Sequence, residues 1–186
     1  MTAEIGRDAS LTLPKTIEAA AVRFGPAPAL LSDRASLTYG ALGERSNRYA
    51  RWALAQGLGK GDVVALLMSN CPEYAAVWLG LTRIGVVVAL VNAHLAGEAL
   101  AHSIRVATPR LALVDGEHAG TLARVLPLVA SGIECRSIGD GAEGKFLRLE
   151  DAIAGLSGDP LDERTFRPPM LRDRALCIYT SGTTGL

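Results

Sequence analysis

The stretch GDVVALLMSNCPEYAAVWLGLTRIGVVVALV, residues 61–91, contains the pattern from which the fold is predicted. Apolar runs over 63–68 and 86–91 show no polar alternation, which is typical of strands buried on both faces of a sheet. Between the two runs, apolar residues recur with helical spacing, and Gly85 follows as a stop signal. Two buried strands joined by a helix form a βαβ unit, so these strands are predicted to be parallel.

The alternation of strand and helix continues on both sides of this unit. A helix with one apolar and one charged face is predicted from Thr38 to Gly57, and further helices begin near Gly97 and His118. Pro127 is expected to kink or shorten the last of them. Further strands are predicted at 111–114, 133–138 and 175–179. This order predicts an α/β protein with a mostly parallel, doubly wound sheet and helices on both faces.

Local signals predict helix ends, core residues and a connector. Ser69 or Asn70 can cap the helix of the βαβ unit, and Pro72, which follows them, suits the first turn of that helix. Trp52 and Trp78 lie on predicted apolar helix faces and are expected in the core. Residues 157–174 contain prolines and mixed charges, so an exposed connector is predicted there.

The composition excludes several classes of protein. Of the 186 residues 49% are apolar, which permits a core without disulfides or metal ions. Lys plus Arg and Asp plus Glu both total 19, so net charge gives no reason to expect nucleic acid as a partner. No secretory leader is recognisable, and no apolar run approaches the roughly 18 residues of a membrane span. The 3 cysteines show no C-x-x-C spacing, so a cytoplasmic location is expected.

A segment with a chemical signature follows the last predicted strand. Its residues are hydroxyl side chains and glycines: Thr180, Ser181, Gly182, Thr183, Thr184 and Gly185. Glycine permits close backbone approach, so successive N–H groups can bind one anion, and the hydroxyls add donors. This favours phosphate binding, with an ordinary turn as the alternative. Neither G-x-x-x-x-G-K-[ST] nor the dinucleotide pattern G-x-G-x-x-G fits these residues.

Residues 179–186, Y-T-S-G-T-T-G-L, resemble the opening of the phosphate-binding motif of the adenylate-forming superfamily. That superfamily includes acyl-CoA synthetases, luciferases and nonribosomal peptide adenylation domains, and its motif continues with Pro-Lys. The resemblance extends to Leu37-Thr38-Tyr39 and its helix, to the turn over 57–65, and to Pro72-Glu73. Residues 89–103 are most similar to the very-long-chain acyl-CoA synthetase and fatty-acid-transport-protein branch.

The resemblance implies that residues 1–186 form the first subdomain of the N-terminal domain of such an enzyme, the N-terminal part of its AMP-binding (adenylation) domain. The chain would stop inside the phosphate-binding loop. The parent would be an ATP-dependent long-chain or very-long-chain fatty acid–CoA ligase that also uses Mg²⁺. A carboxylate would attack the α-phosphate of ATP, and the CoA thiol would then displace AMP.

By the same resemblance, the site residues are those that would hold the β- and γ-phosphates: Thr180, Ser181, Gly182, Thr183, Thr184 and Gly185. In the family the adenine pocket, acyl tunnel, acidic magnesium ligand and catalytic lysine all lie downstream of this motif. No catalytic or metal-binding residue is therefore assigned here, and the chain alone is expected to be inactive.

The expected partners are a fatty acid, ATP and CoA, with no nucleic acid and no transmembrane segment. Peripheral membrane attachment and a homodimer stay open. The alternative is a stand-alone, non-catalytic α/β interaction or scaffold module that keeps a remnant phosphate loop. His94, His102 and His118 are expected in surface or capping roles, because no metal-ligand spacing links them. Cys177 lies within the last strand and is expected to be a packed, inert thiol.

Overall fold

The structure is a computed structural model that describes residues 8–33, 35–129, 132–141 and 144–179. The chain divides into two compact units. The first comprises the described residues of Met1–Asp62 together with Ser69–Val87 and Leu149–Ala175. The second comprises those of Val63–Met68, Val88–Arg148 and Leu176–Leu186. The first unit is largely helical, and the second contains the main sheet.

Helices and strands alternate along most of the chain. The helices are α1 (Leu13–Phe24), α2 (Tyr39–Ala55), α3 (Pro72–Arg83), α4 (Gly97–Ala107), α5 (Gly116–Val125) and α6 (Leu149–Ile153). The strands are β1 (Pro28–Leu31), β2 (Ser36–Thr38), β3 (Val63–Leu67), β4 (Val87–Leu90), β5 (Leu111–Asp115), β6 (Glu134–Ile138), β7 (Leu147–Arg148) and β8 (Leu176–Ile178). Single 3₁₀ turns cover Leu126–Leu128 and Glu163–Thr165. The predicted α/β class is confirmed.

Among the described residues, the main sheet has six strands in the order β7-β6-β5-β3-β4-β8. The pairs β3–β5, β4–β8, β5–β6 and β6–β7 are parallel. From β3 the chain passes to β4 on one side, then to β5, β6 and β7 on the other, and finally to β8 beyond β4. This reversal of direction is the doubly wound topology predicted from the sequence.

Both faces of the central strands are buried. Ala65 and Leu67 of β3 share an apolar cluster with β5 and with side chains of α4 and α5, including Leu100 and Leu122. The alternating residue Leu66 points to the other face of β3 and is also fully buried. Continuous apolar runs are thus explained by strands without a solvent face, as the sequence predicts.

In the first unit, α1, α2 and α3 pack against one another. Gly80 of α3 lies directly on α2: a Cβ atom at this position would be 2.3 Å from the carbonyl oxygen of Ser46 and 2.9 Å from Cβ of Tyr49. Real Cβ atoms do not approach other atoms this closely, so the packing of α2 on α3 requires glycine at position 80.

The start of α2 agrees with the sequence prediction. Oγ1 of Thr38 accepts a hydrogen bond from the N–H of Ala41 at 3.2 Å and caps the helix. The predicted apolar face is the buried one, with Leu42, Ser46, Tyr49, Ala50 and Ala53. Trp52 is buried as predicted, but Trp78 is only half-buried, because it lies on the side of α3 opposite Gly80.

The cap of α3 differs from the prediction. Cys71, rather than Ser69 or Asn70, is the N-cap residue, and its Sγ accepts from the N–H of Tyr74 at 3.4 Å. Pro72 explains the difference, because its fixed φ suits the first helical position and the cap is then the residue before it.

The helix predicted to begin near His118 is shortened, as expected from Pro127. It spans Gly116–Val125 and continues only as the 3₁₀ turn Leu126–Leu128. Proline has no N–H to donate, so the α-helical bonds cannot continue through this position. The helix begins at Gly116, two residues before the predicted start, because the side chain of Asp115 caps it by accepting the N–H of His118.

Residues 157–174, which the sequence predicts to be an exposed connector, make defined contacts within the first unit. Arg51 donates to the carbonyl oxygens of Ser157, Asp159 and Pro160 at 3.0, 2.6 and 3.1 Å. Arg83, with only 6% of its surface exposed, forms ion pairs with Glu163 and, on α1, with Glu18.

Two further features concern the apolar character of the helices and the state of the thiols. Within the described parts of the chain, no helix combines the length and apolar character needed to cross a membrane. Cys71, Cys135 and Cys177 are free thiols. Burial, with a smaller contribution from Glu134, raises the pKa of the Cys135 thiol to about 11, so this thiol stays protonated at neutral pH.

Candidate phosphate-binding site

The predicted site residues lie outside the described residues. These are Thr180, Ser181, Gly182, Thr183, Thr184 and Gly185. The structure does describe the strand that leads to them, β8, and the residue that follows it, Tyr179. The predicted phosphate loop therefore begins directly after Tyr179, the last described residue.

The register of β8 fixes the edge of the sheet at which the predicted loop begins. Val88, Ala89 and Leu90 of β4 pair with Leu176, Cys177 and Ile178 of β8. The two strands are parallel, so their carboxyl ends lie at the same edge. In open α/β sheets, ligands bind outside the carboxyl ends of the strands. The predicted loop thus follows strand β8, whose carboxyl end lies at the edge of the sheet where such ligands bind.

Tyr179 is held by a bond to α4. Its hydroxyl donates to the carbonyl oxygen of Ser103 at 2.8 Å, and its ring packs against the apolar cluster of the second unit. Burial, with a smaller effect of Cys177, raises the pKa of the Tyr179 phenol. Sequence reasoning included Tyr179 in the motif but missed this contact, since nothing in the sequence pairs it with a residue 76 positions away.

The histidines occupy the kinds of position predicted for them. His94 and His102 are exposed, and the N–H of His94 donates to Oδ1 of Asn92 at 2.9 Å in the turn after β4. His118 lies in the first turn of α5, where its Nδ1 is 2.5 Å from Oδ1 of Asp115. None of these histidine contacts involves strand β8 or Tyr179.

The described residues contain one constellation that sequence reasoning missed. Ligand atoms of Asp115, Glu117 and His118 lie within 4.8 Å of one another at the carboxyl end of β5. Such a set could coordinate a metal ion, but Oδ1 of Asp115 already accepts the N–H of His118 as the cap of α5. The D-x-E-H spacing at a strand end was the signal available in the sequence.

The first unit contains a pocket of about 240 Å³ that the sequence did not predict. Its wall is formed by the helices α1, α2 and α3 and by residues 158–160. It includes apolar side chains such as Ile17 and Leu79, together with the ion-paired Arg83. The pocket belongs to a different unit from β8 and Tyr179.

Comparison with known proteins adds a family assignment and a set of relatives. The sequence model of a family described as AMP-binding enzyme matches residues 17–186. Long-chain fatty acid transport protein 6 of Mus musculus is 35% identical over 150 residues, which cover 80% of this chain and 24% of that protein. The medium/long-chain fatty acid–CoA ligase FadD6 of Mycobacterium tuberculosis is 29% identical over 166 residues, 89% of this chain and 26% of the ligase.

A solved structure shares the fold. The crystal structure of the anthranilate CoA ligase AuaEII in complex with anthranoyl-AMP superimposes with a TM-score of 0.85, covering 95% of this chain and 33% of that one. Its sequence identity of 18% means that this likeness shows the fold alone. The present chain spans about a quarter of the length of the curated relatives that it matches.

Proposed function

This chain belongs to the family of AMP-binding enzymes, and on that premise we propose that it is the N-terminal part of an ATP-dependent ligase that joins long-chain or very-long-chain fatty acids to CoA. The observation that carries the proposal is the Y-T-S-G-T-T-G-L motif of residues 179–186, directly after β8. The names of the two relatives, a long-chain fatty acid transport protein and a medium/long-chain fatty acid–CoA ligase, support the substrate class. The activity is assigned to a protein longer than this chain.

The proposed reaction has two steps. A fatty carboxylate oxygen attacks the α-phosphorus of ATP, the bond to the bridging oxygen breaks, and pyrophosphate leaves with that electron pair. The sulfur of CoA, its thiol proton lost to solvent or base, then attacks the acyl carbonyl carbon, and AMP leaves. The products are acyl-CoA, AMP and pyrophosphate.

The loop residues would act by holding and neutralising the leaving group. We assign this role to Thr180, Ser181, Gly182, Thr183, Thr184 and Gly185. Their N–H and hydroxyl donors would bind the β- and γ-phosphates and stabilise the charge that develops on pyrophosphate as the bond breaks. Uncharged donors suit a site that must release this product after each turnover.

Magnesium is part of the proposed reaction, because it neutralises phosphate charge. The group of described residues that could hold a metal ion, Asp115, Glu117 and His118, includes an imidazole, whereas Mg²⁺ prefers oxygen ligands in octahedral geometry. This group therefore does not fit Mg²⁺. By the family resemblance, its acidic protein ligand is expected downstream of the phosphate-binding motif.

The same proposal covers location and partners. The fatty acid, ATP and CoA are small molecules of the cytoplasm, where free thiols such as those of this chain persist. Peripheral attachment to a membrane would suit a substrate that dissolves in lipid. Vesicle sedimentation would test that attachment, and analytical ultracentrifugation would test a homodimer.

The chain by itself is proposed to be inactive, because the lysine, adenine and acyl sites of the family lie downstream of the motif. The competing candidate, a stand-alone scaffold module with a remnant loop, is separated from the ligase by the intact mass of the native protein. A mass several times 19.5 kDa supports the ligase, and a mass near 19.5 kDa supports the module.

The assignment of the loop is tested by Thr184→Ala in the full-length protein. Removing one donor to a developing negative charge is expected to lower kcat/KM for ATP by about 10²-fold. The matched control is Thr121→Ala, since Thr121 is a threonine of α5 whose Oγ1 accepts a local hydrogen bond from Arg124. Equal kinetics for both variants and the wild type would contradict the assignment.

A further inference from the structure

The pocket of the first unit is lined by two residues that each have a polar atom without a hydrogen-bond partner. Ser46 of α2 is 9% exposed and Arg83 of α3 is 6% exposed, and both line the pocket. Among the described residues, nothing bonds to Oγ of Ser46 or to Nε of Arg83, and neither atom is in contact with bulk solvent. Nearly all buried polar groups in proteins are satisfied, so these two atoms indicate a missing partner.

The arrangement of the surrounding bonds defines what that partner must offer. Nη1 and Nη2 of Arg83 are held by Glu163 and Glu18 at 3.3 and 2.7 Å, which leaves the Nε–H group as a fixed donor. Serine has three staggered rotamers, so the Ser46 hydroxyl can turn toward a molecule in the pocket that it lines. Both groups donate hydrogen bonds, so the partner requires an acceptor oxygen.

Asn47, which also lines the pocket, adds a group of the opposite kind. Its Nδ2 donates to the carbonyl oxygen of Gly158 at 2.8 Å, whereas its Oδ1 accepts nothing from the described residues. A hydroxyl or a primary amide both accepts and donates, and would therefore match this set of groups better than a ketone or an ether.

The charges on the pocket wall disfavour an ionic ligand. The wall contains one guanidinium, that of Arg83, and three carboxylates, those of Glu18, Glu44 and Asp159. An anion would lie among the carboxylates, and a cation would lie beside the guanidinium. A neutral molecule avoids both costs. Fatty carboxylates and phosphates are therefore poor candidates for this pocket.

The rest of the wall suits a short apolar chain. Pro14, Ile17 and Ala21 of α1 and Leu79 of α3 contribute apolar surface. The volume of about 240 Å³ exceeds the roughly 150 Å³ of a cavity that admits benzene, so a ligand of about ten non-hydrogen atoms would fit.

We propose that this pocket is a binding site for a neutral medium-chain amphiphile, an aliphatic alcohol or primary amide. Its oxygen accepts from Ser46 and from Nε of Arg83, and its chain lies against Ile17 and Leu79. All lining residues belong to the first unit, so the proposal does not depend on the ligase function or on the predicted phosphate loop.

The test is isothermal titration calorimetry of the full-length protein with 1-octanol, and with octanoate as the charged molecule of the same chain length. We expect one molecule of 1-octanol to bind per chain, and octanoate to bind at least about ten-fold more weakly because of the carboxylates. Failure of 1-octanol to bind would mean that the pocket holds water or another part of the protein, and would overturn the proposal. Equal or tighter binding of octanoate would also overturn it.

Ser46→Ala locates the head group. We expect the Kd for 1-octanol to rise about five-fold, a change typical of one lost hydrogen bond. The urea midpoint of the protein without ligand should not fall, since the deleted hydroxyl has no partner among the described residues. The control is Ser103→Ala, which removes a buried helical serine outside the pocket whose hydroxyl donates to the carbonyl oxygen of Ala99. An unchanged Kd for Ser46→Ala, or an equal rise in both variants, would contradict the site.

Ala21→Leu locates the chain, because the larger side chain occupies the pocket that Ala21 lines. Binding of 1-octanol should be lost, whereas Ala19→Leu, at an exposed position of the same helix, should retain it. Circular dichroism verifies that both variants are folded, and Ser46→Ala decides the question if Ala21→Leu is not. Undiminished binding by folded Ala21→Leu would show that the ligand lies elsewhere.

Discussion

Gly80 shows how a single residue sets the packing of two helices. Because a Cβ atom there would lie 2.3 Å from the carbonyl oxygen of Ser46, α2 and α3 would have to separate to admit even a methyl group. The backbone of α2 cannot move aside as a flexible side chain could. Overpacking of this kind is expected to be among the more damaging small substitutions in the chain.

Gly80→Ala should therefore lower the free energy of unfolding by about 3 kcal/mol, at the upper end of the usual cost of overpacking. Urea unfolding followed by circular dichroism measures the difference. Gly59→Ala is the control, because a Cβ at Gly59 meets nothing within 4 Å. Equal unfolding midpoints for the two variants would show that α2 and α3 do not pack as described.

At the residue scale, the sequence predicts which side chains are buried better than it predicts which ones meet. The buried face of α2, including Tyr49 and Ala50, follows from helical periodicity. The contacts of Gly80 with Ser46, and of Tyr179 with Ser103, join residues far apart in sequence, and no local pattern encodes them. The phosphate-loop residues are predicted from their chemistry and from a resemblance, and they stay a prediction.

Helix α2 offers a test at the scale of a secondary-structure element. Thr38→Ala removes the side-chain oxygen that accepts the N–H of Ala41, and we expect a loss of about 1 kcal/mol in the free energy of unfolding. Thr38→Ser keeps the oxygen and should retain most of the stability. Urea unfolding of both variants is the measurement, and identical losses for Ala and Ser would contradict the capping role.

Strands that form a long apolar run can be predicted from the sequence, whereas very short strands cannot. The predicted strands 63–68 and 86–91 correspond to β3 and β4, because both are continuous apolar runs. Helix α1 was missed although the sequence signals it: a proline stands in its first turn, and Leu13, Ile17 and Phe24 recur with helical spacing. The hairpin of β1 and β2, and the two-residue β7, are too short for a period to show.

At the scale of the whole molecule, parallel pairing could be predicted but strand order could not. Strands joined by a single helix are expected to be parallel. The pairing of β4 with β8, however, brings Val88 beside Leu176, two residues that are far apart in the sequence. This non-local pairing is what places the start of the predicted phosphate loop at the carboxyl edge of the sheet.

The central claim, that this chain is the N-terminal part of a fatty acid–CoA ligase, is tested most directly by exchange of labelled pyrophosphate into ATP. The full-length protein is assayed with a series of fatty acids and without acid, beside the 186-residue chain. We predict exchange by the full-length protein that requires a long-chain fatty acid, and none by the chain alone. Absence of acid-dependent exchange in the full-length protein, or robust exchange by the chain alone, would contradict the account.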